Sequence, residues 1–447
     1  MAKLAHAQWS SKMGFVLAAA GSAVGLGNIW RFSYLTGESG GAAFVLVYLA
    51  CVALVGLPIL VAEWMIGRRG QKNPINTMAD LAKRHGRSRG WAMVGVSGVL
   101  ASFLILSFYS VIGGWSLNYT VGAVIGSFSG QDAAASEAAF GALLGNPGSL
   151  LIWHTLFMVL VVGIVARGVT KGLEAAARIL MPALVVLLLV LVGYGATSGA
   201  FGQAFAFMFT PDWSALDGGV MLAAMGQAFF TLSLGMGIMM AYGSYLGEDV
   251  NLLGTARTVI VLDTAIALLA GLAIFPIVFA TNLDASSGPG LIFVTLPIAF
   301  GNMVGGTLLG LGFFLLLTFA ALTSAISLLE PVVETLEERT ALGRLGATVV
   351  SALAVWLVGV AALLSFNVWG DVLLFGLNIF DFLDTFTGKI LLPLTGLGAI
   401  VFYSLCLDKE ESRRELGMDV YDYSLWNLLT KYVAPIGVIV VFVAGFI

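Results

Sequence analysis

The run Gly21-Ser22-Ala23-Val24-Gly25-Leu26-Gly27-Asn28 places three glycines at spacings of four and two inside an apolar segment, roughly 13–35. That segment is long enough to span a bilayer. A glycine inside a helix costs ~1 kcal/mol relative to alanine, and backbone groups left unpaired in hydrocarbon cost several kcal/mol. A helix broken at mid-depth therefore persists where the freed groups find a partner. The amides of Leu26 and Gly27 would head a restarting half-helix, whose positive end can hold a carboxylate. The carbonyls of Gly21, Ala23 and Val24 would be freed on the other side and can hold a hard cation. The competing reading is a packing helix whose small residues admit a neighbour closely.

Other oxygens occur at matching depth. Phe230-Thr231-Leu232-Ser233-Leu234-Gly235-Met236-Gly237 is a second glycine-bearing interruption inside an apolar segment. Thr323 and Ser324, with the carbonyl of Ala320 one turn earlier, can complete one cation shell. Asn28, Thr231 and Asp263 can supply side-chain oxygens to another. Threonine and serine in a span also back-bond to their own helix. Asp263 lies in Val259-Ile260-Val261-Leu262-Asp263-Thr264-Ala265-Ile266, and a carboxylate at membrane depth is a functional-site candidate by default. Its alternative is a protonated helix–helix hydrogen bond. The same two readings stand for Glu63. Arg31 and Asp384 are placed for a long-range latch on the outer side, with Tyr109 and Phe230 as an aromatic lid.

The elements that must position these groups are hydrophobic. Of the 447 residues, 59% are apolar and 10% charged, against about 25% charged in a soluble domain. Eleven hydrophobic segments are expected, near 13–35, 41–68, 91–123, 149–167, 172–195, 218–246, 254–280, 301–336, 345–365, 371–405 and 425–446. Of the 21 basic residues, all but Arg31 and Lys389 fall on one side of this topology. That side is then cytoplasmic, with the amino terminus inside and the carboxy terminus outside, in an inner (cell) membrane. No cleavable signal peptide is expected. The two breaks lie five segments apart, so two halves, about 13–195 and 218–405, are inserted with opposite polarity. The segment 425–446 is additional, and the whole chain is one transmembrane domain. Paired interrupted helices in inverted halves are the best sequence pointer to a transporter site.

Several function classes drop out. Cys51 and Cys406 lie far apart in apolar surroundings, and His6, His85 and His154 form no ligand spacing. With no phosphate-binding loop, metal set or nucleophile–base pair, an enzyme is not expected. Neither an organic cofactor nor a nucleic-acid partner is expected, and no feature specifies an oligomeric state. A channel would need a continuous polar stripe rather than two mid-depth breaks. A non-transporting solute sensor would share every site.

Trp9, the Gly21–Phe32 run, Gln227-Ala-Phe-Phe-Thr-Leu-Ser-Leu-Gly235 and Leu322-Thr-Ser324 resemble the neurotransmitter:sodium symporters, particularly the bacterial branch. The resemblance extends over essentially the whole chain. It implies an all-α, leucine-transporter-like fold of eleven helices, with discontinuous helices one and six. It also implies two Na⁺ ions. The first would be held by Ala23, Asn28, Thr231, Asp263 and the substrate carboxylate, the second by Gly21, Val24, Ala320, Thr323 and Ser324. Substrate would touch Ser22, Ala23, Leu26, Gly27, Ile105, Tyr109, Phe230, Ser233, Met236, Ser324 and Leu328, with Thr231 beside it. Arg31, Asp384, Tyr109 and Phe230 would form the outer gate, and Trp9, Ser244, Tyr245 and Glu338 the inner one. Gly172 and Pro182 match the family's helix-five element.

Three departures sharpen the expectation. The basic residue expected just before Trp9 is replaced by His6, with Lys3 nearby. Asp263 stands where the family has Asn. Ala267 stands where chloride-dependent members have Ser. The Asp263 carboxylate would then supply the charge otherwise given by Cl⁻, making transport chloride-independent. Gly25 leaves no carboxylate to meet an amine, so the substrate would bring its own. Ile105, Met236 and Leu328 favour a hydrophobic L-amino acid, aliphatic or aromatic.

Overall fold

The computed structural model describes residues 8–283, 285 and 290–444. Among these residues all regular structure is helical, with one isolated bridge between Leu374 and Leu377. Eight helices are long and apolar enough to cross a membrane: Ala42–Gly70, Arg89–Val124, Pro147–Val165, Val169–Thr197, Leu252–Ala280, Gly306–Arg339, Arg344–Leu364 and Ile379–Cys406. A further span is bent by 48° between Lys12–Ala23 and Gly27–Glu38. The two other expected segments correspond to Gly218–Thr231 with Ile238–Ser244, and to a helix running from Val420 to Ala444 through a π turn at Leu429–Val433. Numbered in chain order, these are spans one to eleven.

Helix starts follow from short polar side chains. Ser11 Oγ accepts the Gly14 amide at 3.0 Å, Asp217 Oδ1 that of Val220 at 2.8 Å and Asn251 Oδ1 that of Gly254 at 2.9 Å. Each satisfies a donor that the first turn leaves orphaned. Span eight is the central pillar, with 72% of its most apolar window buried inside the protein. Spans four and five are peripheral, at 33% and 28%, so most of their apolar surface is left for lipid. Span three packs along span eight, and span two along the second half of span six. Glycines set the closest approaches. A Cβ at Gly98 in span three would stand 2.9 Å from the Gly237 amide nitrogen.

Several boundaries differ from expectation. Span ten begins at Ile379, not near 371, because Val372, Leu373, Leu374 and Phe375 lie in turns around Gly370 and Gly376. Their hydropathy mimics a span start, but they are exposed. Span eight is shifted toward Gly306–Arg339, and the apolar residues before it form a short helical pair, Leu291–Thr295 and Leu296–Asn302. Pro74–Arg84, Ala133–Leu144 and Phe201–Phe209 are connecting helices too short to register as spans. Lys3, His6 and the last residues of segment eleven lie outside the described residues.

Candidate functional site

Span one unwinds at Val24, whose backbone is extended (φ −78°, ψ 97°). It resumes in a π turn, Gly27–Arg31. The Gly25 amide donates to Asn28 Oδ1 at 3.0 Å, so Asn28 caps the half-helix that it belongs to. The Leu26 amide donates to the Tyr109 hydroxyl at 3.3 Å. The break in span six is stiffer. Ser233, Gly235 and Gly237 all have positive φ, at 54°, 73° and 72°, a region glycine enters at no steric cost. Glu63 Oε1 accepts the Gly235 amide at 2.9 Å, and the Ser102 hydroxyl donates to the Met236 carbonyl at 2.5 Å. Of the two readings for Glu63, the observed contact is a brace for the broken backbone. The two breaks are also tied together. The Ser22 carbonyl accepts the hydroxyls of Ser233 and Ser324, both at 3.1 Å.

Two oxygen clusters flank these breaks. In the first, Asp263 Oδ1 accepts Asn28 Nδ2 at 2.7 Å and the Thr231 hydroxyl at 2.9 Å. Its Oδ2 accepts the Tyr48 hydroxyl at 3.3 Å. All four side chains are buried. In the second, the Thr323 hydroxyl lies 3.3 Å from the Val24 carbonyl and 3.0 Å from that of Ala320. A Cβ at Gly21 would stand 3.5 Å from Thr323 Cβ, which puts Gly21 at the same cluster. Deprotonated or aprotic faces of the same groups suit a hard cation. Tyr48 and Gln227, whose Nε2 donates to the Gly27 carbonyl at 2.7 Å, belong to the neighbourhood but were not singled out from sequence.

Between the breaks lies a narrow cavity of about 20 Å³, lined by Ser22, Ala23, Gly25, Gly27, Ile105, Tyr109, Phe230, Ser233, Met236, Ser324 and Leu328. All were expected to touch substrate, or in the case of Gly25 to define it. Leu26 and Thr231 from that set do not line it. A larger cavity of about 260 Å³ adjoins, with Leu26, Trp30, Arg31, Asp381 and Asp384 in its wall. Tyr109 and Phe230 line both cavities and so form the partition. The Arg31 guanidinium lies 4.8 Å from the centre of the Phe230 ring. Arg31 and Asp384 share the larger cavity, and neither is in an ion pair within 4 Å among the described residues.

At the other end of the bundle, Trp9 wedges beside span six. Its indole donates to the Tyr242 carbonyl at 3.1 Å, and its ring packs edge-on against Tyr242 and Tyr245. Ser244 donates to Glu334 at 3.0 Å and Tyr245 to Glu330 at 2.8 Å. Glu330 is paired with Arg344. Glu338 is not with them. Its carboxylate accepts the Asn73 amide at 3.0 Å and the Asn73 side chain at 2.5 Å. It lies one helical turn beyond Glu334, and the turn faces the Pro74–Arg84 helix. Among the described residues, Glu334 and Glu330, not Glu338, are the carboxylates in contact with Ser244 and Tyr245.

The chain matches the sodium:neurotransmitter symporter family over residues 6–135 and 138–447. It belongs to that family. The symporter is 40% identical, over 97% of its length and 96% of the relative's, to an uncharacterized sodium-dependent transporter, YhdH, of Bacillus subtilis. It is 35% identical to an uncharacterized sodium-dependent transporter of Haemophilus influenzae, over 98% and 97%. It superposes with a TM-score of 0.91 on the crystal structure of MhsT in complex with L-phenylalanine, at 46% identity over 98% of this chain and 100% of that one. The symporter is therefore a multi-pass membrane protein and a sodium-dependent transporter, not an enzyme, with the all-α, leucine-transporter-like fold.

Proposed function

We propose that this symporter imports hydrophobic L-amino acids, aliphatic and aromatic, with two Na⁺ ions per cycle, by alternating access and without Cl⁻. The observation that carries the reading is the cavity between the two breaks. Its polar wall is backbone and hydroxyl from Ser22, Gly25, Gly27, Tyr109, Ser233 and Ser324, and its apolar wall includes Ile105, Phe230, Met236 and Leu328. A carboxylate sits at the restarting half-helix of span one, oriented by Tyr109. The apolar side chain fills the rest, with Met236 as the adaptable element. The co-crystallised L-phenylalanine of MhsT supports a ligand of this chemistry.

The first Na⁺ takes Ala23, Asn28, Thr231, Asp263 and the substrate carboxylate. The second takes Gly21, Val24, Ala320, Thr323 and Ser324. With the Asp263 carboxylate among the first ion's ligands and Ala267 one turn on, the site carries its own acid where chloride-dependent members have none. Tyr109 and Phe230 close over the substrate, and Arg31 and Asp384 hold the vestibule above them. Trp9, Ser244 and Tyr245 close the inner side. The amino terminus is cytoplasmic and the carboxy terminus extracytoplasmic, in the inner membrane. Na⁺ and the amino acid bind together, the scaffold built from the inverted repeats 13–195 and 218–405 rocks, and the inner side opens. A charged pair in a wet vestibule contributes ~0–1 kcal/mol, weak enough to open on each cycle.

Uptake of labelled amino acids into proteoliposomes tests this. An inward Na⁺ gradient should drive concentrative uptake of Leu, Phe and Trp equally well in chloride or gluconate. Uptake that needs Cl⁻ would refute the role of Asp263. Saturable binding without concentrative uptake would favour a sensor.

A further inference from the structure

One carboxylate on the inner side has no part in the site above. Glu174 ends the π turn Val169–Glu174 that opens span five, and it is 1% exposed. Its Oε2 accepts the Ser10 amide at 2.9 Å, and its Oε1 accepts the Ser10 hydroxyl at 2.5 Å and the Ser11 hydroxyl at 3.4 Å. The Arg178 guanidinium, one turn on, pairs with the same carboxylate at 2.6 Å and also reaches Ser11 Oγ at 2.9 Å. Ser11 is itself the cap of span one. A Cβ on Gly14 would collide with the Glu174 carboxyl group, so span one has no side chain where span five inserts its carboxylate. The start of one helix is thus built onto a charged group of another.

We propose that Glu174 is the inner latch of this symporter, a positioning residue that couples span five to the second Na⁺ site through the rigid first half of span one. That half-helix, Lys12–Ala23, is 12 residues, or about 18 Å at 1.5 Å per residue. Its far end carries the Gly21 and Val24 carbonyls of the second cation cluster. Its near end hangs from Glu174. A rod held at both ends swings only when both ends release. Charge-assisted hydrogen bonds to a buried carboxylate are the strong kind, whereas Glu338 is occupied by Asn73 and Asn76. Loss of Na⁺ frees one end, and separation of Ser10 and Ser11 from Glu174 frees the other. Because Glu174 belongs to a π turn, its backbone can re-register without breaking the whole helix.

The test uses inner-side accessibility and Na⁺ alone, so it is independent of which amino acid is carried. Ser327, buried between Thr323 and Tyr242, is replaced in Ser327→Cys. Its alkylation by a membrane-permeant maleimide is followed against Na⁺ concentration, with the unsubstituted protein, whose two cysteines are buried, as blank. The inference rests on the second Na⁺ site of the preceding section. Na⁺ should therefore protect Cys at 327 in the parent, and no protection there would overturn both readings. Adding Glu174→Gln should raise the Na⁺ needed for half-protection at least about fivefold, from loss of charge-assisted bonds. The milder Ser10→Ala, at an exposed residue, should move it in the same direction by less, and it decides the matter if Glu174→Gln does not assemble. Glu174→Asp should recover part of the parent behaviour. Protection curves of the Glu174 and Ser10 variants that coincide with the parent would overturn the latch and leave the Na⁺ site standing.

Discussion

Asn28 and Asp263, 235 residues apart, are joined twice: Asn28 Nδ2 donates to the Asp263 carboxylate at 2.7 Å and to its backbone carbonyl at 3.1 Å. The restarting half of span one is thereby clamped to span seven at the first oxygen cluster. Neutralising Asp263 keeps the shape and removes the charge. Asp263→Asn should raise the Na⁺ concentration for half-maximal uptake by about tenfold or more, the weight of one charge-assisted contact. Asp263→Asn with Ala267→Ser should recover part of the rate only when Cl⁻ is present. Flux assays in chloride and gluconate read both outcomes.

The Tyr109 hydroxyl is 3.3 Å from the Leu26 amide, where the substrate carboxylate is proposed to sit. Tyr109→Phe should leave folding intact and raise the apparent KM about 10- to 100-fold, as expected for a hydrogen bond to a charged group. An unchanged KM would move the carboxylate elsewhere.

Gly25 has no room for a side chain. An added methyl would collide with Ser324 Oγ and stand 3.1 Å from the Tyr109 hydroxyl. Gly25→Ala should reach the membrane in normal amount yet lose substrate binding by about 5- to 150-fold, because overpacking costs about 1–3 kcal/mol. Scintillation proximity binding measures it directly.

Met236 stands between two positive-φ glycines, with its carbonyl fixed by Ser102. Met236→Phe replaces an adaptable side chain by a rigid ring. It should select against the largest substrates, lowering Trp uptake relative to Leu. Equal uptake of Trp and Leu by the variant would refute this.

Glu338→Gln keeps the acceptor that Asn73 uses. Transport should stay within about threefold of the parent, in the range of a surface change, whereas Glu330→Gln should fall well below it because Arg344 and Tyr245 lose a buried partner.

The site was legible where a local rule was broken: glycines in a span, a carboxylate in an apolar run, adjacent hydroxyls at mid-depth. Each violation is expensive in hydrocarbon, so each pointed to a compensating partner. Tyr48, Ser102 and Glu174 broke no such rule. A tyrosine or serine in a helix, or a glutamate near a span end, is ordinary until the fold brings Asp263, Met236 or Ser10 against it. The contact of Glu338 with Asn73 was likewise not legible, because it depends on which way one turn of helix faces. The span boundaries failed where hydropathy and backbone part company, as at Val372–Phe375.

The partition between the two cavities is made of two aromatic side chains, Tyr109 and Phe230, with the Arg31 guanidinium over the Phe230 ring. A cation over a ring is worth about 0.5–2 kcal/mol. That is a factor of roughly 2 to 30 in population at room temperature. A contact of that strength holds a hatch only weakly, and side chains rearrange on nanosecond-to-microsecond scales. On the proposed function, this hatch alone does not commit the carrier, and commitment falls to the substrate carboxylate that would complete the first ion's shell.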